Sequence, residues 1–337
     1  MTEYDKGTAR AWAREALRGV VNVIIPTFTA DLSDVNEAAT RHDVRRDIEL
    51  GFLGALLVAE TATSRDEYIR FTRWAADEAQ GRLQLWHHAS FNTLDENIEM
   101  VRRAGKAGAE MVLLSYPATF YPCAEEEIFE YTKRFCDATD LAVMLFQVPL
   151  WGFERIHPAG MSVQLLERIV DACPNVVAIK AEGGYPSMIG FTEVWYRLGE
   201  RVVVSQPIEQ HAIPFASVLP LQLIATSNTE CLGPAVPEML RLIHAGKVDD
   251  AMELFWRVHP ARKANDVVTA IGGANTVHRM AWKYQAWLTG FNGGPLRMPT
   301  QRLVGSQMAA FRKAAVEAGV CVTDAPDQEF FRGRNPA

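Results

Sequence analysis

Cysteine is scarce in this chain, and neither basic charge nor long apolar runs are in excess. The five cysteines among 337 residues are scattered without CxxC spacing, which predicts reduced thiols in a cytoplasmic protein and no disulfide framework or zinc site. The net charge is −7, so we expect no nucleic-acid partner. No apolar run approaches the roughly 18 residues that span a bilayer, and the polar N-terminus does not resemble a signal peptide, so we expect no membrane partner.

A glycine-rich turn is also missing after the first predicted strand. Residues 20–25 are predicted to form that strand, and Pro26-Thr27-Phe28-Thr29 follows it. A dinucleotide-binding fold needs glycines at this point, because the backbone there must approach a pyrophosphate closely. Their absence argues against a Rossmann fold, and we expect no cofactor.

Short apolar runs alternate with longer helical patterns from residue 20 to residue 245. Helix starts are marked by capping-box pairs, Ser64 with Glu67 and Thr93 with Glu96. Eight strand–helix pairs in succession predict parallel strands joined by right-handed crossovers, and the count of eight favours a closed (β/α)8 TIM barrel. The predicted strands are 20–25, 54–58, 83–88, 111–115, 142–146, 176–180, 202–205 and 221–226.

The barrel is predicted to occupy residues 17–245, between two helical additions. Residues 1–16 form the predicted N-terminal helical extension, and residues 246–337 form the predicted C-terminal helical region. Within the C-terminal region, helices are predicted over 248–265, 276–289 and 301–319. The polar tail after Asp324 is expected to pack loosely.

A lysine ends the sixth predicted strand, Val176-Val177-Ala178-Ile179-Lys180. In a barrel, the carboxyl ends of the strands form the active site, and Lys180 is the only lysine at any of these eight ends. Desolvation at such a position lowers the pKa of an amine, which can then attack a carbonyl group. The alternative is a structural lysine whose amine reaches solvent past the end of the strand.

Further candidates follow the other strands at the same end of the barrel. One of His87 and His88 is the first candidate for acid–base catalysis, because imidazole titrates near neutrality, and Tyr116 and Tyr121 are the next. Packing roles stay open for all four. Because adjacent strand residues point to opposite faces, the two histidines cannot easily bind one metal ion, and we expect no metal site. The candidate substrate-binding residues are Thr27, Glu60, Thr61, Phe146, Trp151, Gln206 and Ser227.

The order of these motifs resembles the dihydrodipicolinate synthase and N-acetylneuraminate lyase family of class I aldolases. The likeness covers about residues 17–319, and its strongest piece is the lysine strand, which continues as Ala181-Glu182-Gly183. Residues 282–299 resemble the hydratase-aldolases. The resemblance implies a homo-oligomer, a tetramer or dimer, in which Lys180 forms a Schiff base with a 2-oxo acid of the pyruvate type. The supporting pieces are Pro26-Thr27-Phe28, Leu145-Phe146-Gln147-Val148-Pro149 and Pro295-Leu296-Arg297-Met298-Pro299.

Two places depart from the family pattern. Phe146 stands where the family has a tyrosine whose phenol relays protons, and phenylalanine has no such group. The family's Gly-Thr-Thr-Gly-Glu loop, which holds the substrate carboxylate, is here Ala59-Glu60-Thr61-Ala62-Thr63. It lacks the glycines that allow close backbone approach, so the resemblance implies an altered carboxylate site. Glu182 is expected to anchor its loop.

The main hypothesis is a class I lyase. Lys180 forms an imine with a 2-oxo acid or related ketone, and aldol, retro-aldol or hydratase-aldolase chemistry follows. Trp151 and Phe153 flank a loop glycine, which favours a bulky or aromatic substrate. One alternative is a sugar-acid dehydratase or lyase of the same family. Another is a non-catalytic binding or regulatory barrel that has lost its proton relay, which Phe146 and the altered loop would favour.

Overall fold

Eight strands run parallel around the centre of the molecule in the computed structural model, which describes residues 3–117, 119–148, 151–182, 187–270, 278–298, 300 and 302–337. Three residues of the quoted motifs, Pro149, Gly183 and Pro299, lie outside these ranges. The strands are β1 Gly19–Ile24, β2 Gly54–Leu57, β3 Gln84–Ala89, β4 Met111–Leu114, β5 Ala142–Gln147, β6 Val176–Ala181, β7 Val203–Ser205 and β8 Leu223–Ala225. Backbone pairing follows the order β7-β6-β5-β4-β3-β2-β1-β8.

A serine side chain joins the two ends of this sheet. Ser205 Oγ on β7 accepts a hydrogen bond from Ala225 N on β8 at 2.9 Å, and it donates one to Ala225 O at 3.2 Å. The sheet therefore curls into a nearly closed barrel, and the predicted TIM barrel is confirmed.

The two faces of the sheet carry separate apolar layers. On β3, Leu85 packs in the layer between the sheet and the helices, whereas Trp86 packs inside the barrel with Val21 and Met144. Side chains alternate along a strand, so the barrel interior is filled by every second residue. This alternation decides which residues at the strand ends face the shared mouth.

Thirteen helices are described, and most of them cover the outside of the barrel. Both predicted capping boxes are present, at Ser64 with Glu67 and at Thr93 with Glu96, so the starts of two helices were correctly predicted. The helices are α1 Ala9–Ala16, α2 Glu37–Leu50, α3 Arg65–Ala79, α4 Leu94–Ala107, α5 Glu125–Asp137, α6 Val163–Ala172, α7 Ser187–Leu198, α8 Glu209–Ala216, α9 Ala235–His244, α10 Val248–Arg257, α11 His259–Ala270, α12 Arg279–Leu288 and α13 Gly305–Glu317.

Helix α1 covers the amino-terminal end of the barrel. Its buried residues Ala9 and Ala13 join the apolar layer inside the barrel. Gln222 Nε2, just before β8, donates a hydrogen bond to the carbonyl oxygen of Leu17 at 2.7 Å. This end of the barrel is therefore closed, and the opposite end, with the carboxyl ends of the strands, is the one available for chemistry.

The C-terminal region differs from its prediction in two places. The single helix predicted over 248–265 is wrong, because α10 ends at Arg257 and α11 begins at His259. Pro260, in the first turn of α11, has no N–H with which to continue the hydrogen-bond ladder of α10. The last predicted helix begins later, at Gly305, and the first residues of the helix predicted over 276–289 lie outside the described ranges.

The tail after Asp324 is packed against the molecule, contrary to the expectation of a loose segment. Phe330 is fully buried beside Tyr284 and Trp287 of α12. Asn36 Nδ2, at the start of α2, donates a hydrogen bond to the carbonyl oxygen of Asn335 at 2.8 Å. One aromatic anchor and backbone hydrogen bonds outweigh the polar composition from which the loose packing was inferred.

The described part of the chain lacks two features. None of its helices is long and apolar enough to cross a membrane. Nor do its His, Cys, Asp and Glu side chains form a group of three or more that could hold a metal ion.

Candidate active site

Lys180 lies near the carboxyl end of β6, next to Phe146 on β5 and Ser205 on β7 in the strand register. Only 6% of the residue is exposed. Its Nζ donates a hydrogen bond to the carbonyl oxygen of Thr226, just after β8, at 2.9 Å. The side chain therefore crosses the mouth of the barrel, and the alternative of an amine that reaches solvent past the strand end is wrong.

Charged and aromatic neighbours surround this amine. Lys180 Nζ lies 3.8 Å from the ring centroid of Phe146 and 3.6 Å from Glu182 Oε1. Burial lowers the pKa of Lys180 to about 8, the charge of Arg279 acts in the same direction, and Glu182 and Glu60 oppose it. At pH 7 about a tenth of such a lysine is the free amine, whereas for an ordinary lysine the fraction is below about one in a thousand.

Glu182 is the carboxylate nearest to the lysine amine. Its backbone N–H does hold the loop, by a hydrogen bond to the carbonyl oxygen of Gln147 at 3.1 Å. Its side chain, however, reaches Lys180 instead of anchoring the loop. Burial raises the pKa of Glu182, and the charge of Lys180 partly offsets the shift. The two-residue spacing from Lys180 was the signal for this proximity, because strand residues two apart share a face.

An aromatic wall lines one side of the lysine. The rings of Phe146 and Trp151 meet edge to face with centroids 5.3 Å apart. Trp151 in turn contacts Phe153 and Tyr116, with centroids 5.7 and 5.2 Å away. Trp151 is half-buried, whereas Phe146, Tyr116 and Phe153 are buried.

His88 faces the barrel interior, on the same side of β3 as Trp86. Its Nε2 lies 3.0 Å from Ser115 Oγ and 4.0 Å from Glu60 Oε1. Burial lowers the pKa of His88 to about 4, so the imidazole is neutral at pH 7. The side chain of Glu60 is 43% exposed, and the charges of His88 and Arg279, with a hydrogen bond from Ser90, lower the pKa of Glu60 to about 2.

Arg279 was not predicted as a site residue, and it comes from outside the barrel. It is the first residue of α12, and its Nη2 donates a hydrogen bond to Glu60 Oε2. Its side chain is only 13% exposed, and its guanidinium also lies 5.2 Å from the ring centroid of Trp282. No sequence signal pointed to it, because the distance between the C-terminal region and the loop after β2 depends on the tertiary fold.

Three candidates for acid–base work lie away from Lys180. His87 points outward, where its Nδ1 lies 3.1 Å from Tyr68 Oη of α3. Tyr116 is also outside the barrel, hydrogen-bonded to Thr132 of α5, and burial raises its pKa. Tyr121 is 68% exposed. The structure therefore brings only one of the four predicted acid–base residues, His88, into the mouth.

Two of the remaining polar candidates make hydrogen bonds to the described protein backbone, and two do not. Thr27 Oγ1 donates a hydrogen bond to the carbonyl oxygen of Gly293 at 2.9 Å, and Gln206 Oε1 accepts one from a backbone N–H two residues later at 3.0 Å. Thr61 Oγ1 is buried without a hydrogen-bond partner among the described residues. Ser227 is partly exposed and follows Thr226, whose carbonyl oxygen holds the lysine.

Comparisons with known proteins agree with this architecture. The sequence model of the dihydrodipicolinate synthetase family matches residues 16–313. A 4-hydroxy-tetrahydrodipicolinate synthase of Acidobacterium capsulatum is 25% identical over 315 residues, which cover 91% of this chain and 97% of that protein.

Two solved structures share the fold. A dihydrodipicolinate synthase from Aquifex aeolicus superposes with a TM-score of 0.77 at 18% identity, over 91% of this chain and all of that one. An N-acetylneuraminate lyase from Fusobacterium nucleatum superposes with a TM-score of 0.73 at 16% identity, over 90% of this chain and 99% of that one. The chain therefore belongs to the dihydrodipicolinate synthetase family and is an enzyme of the lyase type.

Proposed function

We propose that this enzyme is a class I lyase that forms a Schiff base between Lys180 and a 2-oxo acid of the pyruvate type. The observation that carries the proposal is the buried amine of Lys180, whose pKa is lowered to about 8 at the mouth of a barrel. A free amine attacks a ketone, and the resulting iminium accepts electrons when a neighbouring C–C or C–O bond breaks. Aldol, retro-aldol or hydratase-aldolase chemistry follows from the same intermediate.

The surroundings of the lysine favour a substrate with one bulky end. Phe146 and Trp151 form an apolar wall, which suits an aryl group better than the hydroxyl groups of a sugar acid. His88, Glu60, Thr61 and Arg279 form the polar side, and Arg279 is the group suited to the substrate carboxylate because guanidinium binds carboxylates with paired N–H donors. A homo-oligomer, tetramer or dimer, remains the predicted assembly.

Reductive trapping tests the proposal. The enzyme is incubated with pyruvate, or separately with phenylpyruvate, in the presence of borohydride, and the modified peptide is identified by mass spectrometry. We expect a stable adduct on Lys180 and none in the K180A variant. If no 2-oxo acid gives an adduct at Lys180, the imine proposal is wrong.

Lys283 is an internal control in the same experiment. Burial lowers its pKa to about 7, with Asp43 acting in the opposite direction, so its amine is as available in protonation terms as that of Lys180. However, Lys283 Nζ donates a hydrogen bond to the carbonyl oxygen of Pro26 at 2.9 Å and borders a cavity of about 20 Å³. Such a space holds about one water molecule. Labelling at Lys180 and not at Lys283 would show that a lowered pKa is not enough for adduct formation and that the surroundings of Lys180 are needed as well.

A further inference from the structure

We propose that Glu182 is the proton-transfer group for imine formation at Lys180, in place of the phenol that Phe146 lacks. This inference rests on the proposed Schiff-base function. It concerns a side chain that extends into the mouth from the same strand end as the lysine.

The geometry places one carboxyl group within reach of the reacting nitrogen. Glu182 Oε1 lies 3.6 Å from Lys180 Nζ, and the side chain of Glu182 is 22% exposed, so it borders the space that a substrate would enter. When a ketone carbon is bonded to Nζ, its oxygen lies two bonds from Nζ and therefore closer to Nζ than the carboxyl group of Glu182 is. The carboxyl group and this oxygen are then neighbours on the same nitrogen. Proton transfer needs such direct or one-water contact.

The other ionisable groups of the mouth are already occupied. His88 Nε2 bonds to Ser115 Oγ, and His88 Nδ1 faces the backbone N–H of Ala59 at 3.4 Å. Glu60 accepts hydrogen bonds from Ser90 and Arg279. Among the described residues, the Glu182 side chain pairs with Lys180 alone, at 3.6 Å. Burial raises the pKa of Glu182, which favours the protonated acid.

The proton balance of the step fits this pair. The neutral amine of Lys180 attacks the ketone carbon, a C–N bond forms, and the carbonyl electron pair moves to oxygen. Glu182 donates a proton to this oxygen and takes one from the nitrogen, so that one proton moves from nitrogen to oxygen in total and the neutral carbinolamine forms. The protonated carboxyl group then donates its proton to the hydroxyl, the C–O bond breaks, and water leaves. The nitrogen lone pair forms the C=N bond, so amine, ketone and carboxylic acid become iminium, carboxylate and water.

The test compares trapping rates of variants, with pyruvate and borohydride at pH 7. General acid–base groups contribute about 10²–10⁴-fold, so we expect E182Q to form the Lys180 adduct at least about 100-fold more slowly than wild type. The matched control is E110Q, which alters a partly buried carboxyl group before β4, at the closed end of the barrel; burial raises the pKa of Glu110 too. E110Q should trap at the wild-type rate.

A purely electrostatic role for Glu182 predicts the opposite change. The carboxylate favours the charged amine, so its removal lowers the pKa of Lys180 further and would increase the free amine at pH 7. E182Q trapping as fast as wild type, or faster, would therefore overturn the inference while the Schiff-base function stands. Added formate should raise the trapping rate of E182A at least tenfold, because a small acid can occupy the vacated space. If formate does not raise this rate, the proton-transfer role is contradicted. Wild type without any adduct would remove the proposed function itself.

Discussion

The reactivity of a single amine depends on opposing effects at Lys180. Burial and the positive charge of Arg279 lower its pKa, whereas Glu182 and Glu60 raise it. Burial is the largest effect, so the pKa of Lys180 falls to about 8. A buried lysine without a charged partner would have a much lower pKa. The two carboxylates therefore keep the pKa of Lys180 within about one unit of neutral pH.

This balance can be measured by the pH dependence of lysine acetylation. Trace acetic anhydride reacts only with free amines, and the Lys180 peptide can be quantified by mass spectrometry at each pH. We expect its labelling to rise about tenfold per pH unit up to a midpoint near 8 and then level off. The R279Q variant should shift the midpoint upward, since a positive neighbour is lost. The exposed lysines of the same digest give the reference curve, and a Lys180 curve that coincides with them would contradict the lowered pKa.

Residue-level features of the site differ in how far the sequence reveals them. Lys180 and Phe146 could be identified from the sequence because each lies near the end of an apolar strand, and the two strands are neighbours. The inward position of His88 and the proximity of Glu182 follow from strand alternation once the register is known. Which of His87 and His88 faces the barrel interior depends on the register of β3 and not on its composition.

At the level of elements, α12 supplies a guanidinium group, which none of the eight barrel strands carries. Arg279 begins this helix and donates a hydrogen bond to Glu60 in the loop after β2. Among the described residues, Glu60 is the only hydrogen-bond acceptor of Arg279, and a guanidinium has five N–H groups, so donors remain for a substrate. A helix of the C-terminal region thus places a guanidinium beside the loop after β2.

We expect R279Q to weaken binding of 2-oxo acids more than it slows the trapped chemistry. Charge-assisted hydrogen bonds contribute about 1.5–3 kcal/mol, so the pyruvate concentration that gives half-maximal trapping should rise roughly 10- to 100-fold. The measurement is the concentration dependence of adduct formation at Lys180. R302Q removes an equal charge from an exposed residue of the same region and should leave that concentration unchanged. An R279Q value equal to wild type would show that the carboxylate is held elsewhere.

Elements with local signals were the predictable part of the fold. The apolar runs and capping boxes marked the strands and the starts of helices α3 and α4, since both depend on a few neighbouring residues. The break between α10 and α11 had a local signal as well, Pro260, which the helical pattern around it concealed. The contact of Ser205 with Ala225 joins β7 and β8, which are consecutive in the chain. The predicted barrel implied that these strands are neighbours, but nothing local in the sequence predicted that a serine side chain makes the link.

At the scale of the whole molecule, the tail packs against the helix that carries Arg279 into the candidate active site. Phe330 packs against Tyr284 and Trp287 of α12, with ring centroids 5.3 and 6.0 Å away, and Arg279 lies at the start of that helix. Arg334 adds hydrogen bonds to the carbonyl oxygens of Trp287 and Phe291. The polar composition of the tail concealed this role, because one buried aromatic residue supplies most of its apolar contact.

Two adjacent phenylalanines allow a matched test of that connection. Phe330 is fully buried, whereas Phe331 is 48% exposed. Truncation of a buried phenylalanine to alanine costs about 3–5 kcal/mol, so F330A should lower the free energy of unfolding in urea by that amount, while F331A should change it by less than about 1 kcal/mol. Because α12 loses its support in F330A, the half-maximal pyruvate concentration for trapping at Lys180 should also rise, in the direction expected for R279Q. If F330A is destabilised but traps pyruvate at the wild-type concentration, the tail supports the C-terminal helices without influencing the position of Arg279.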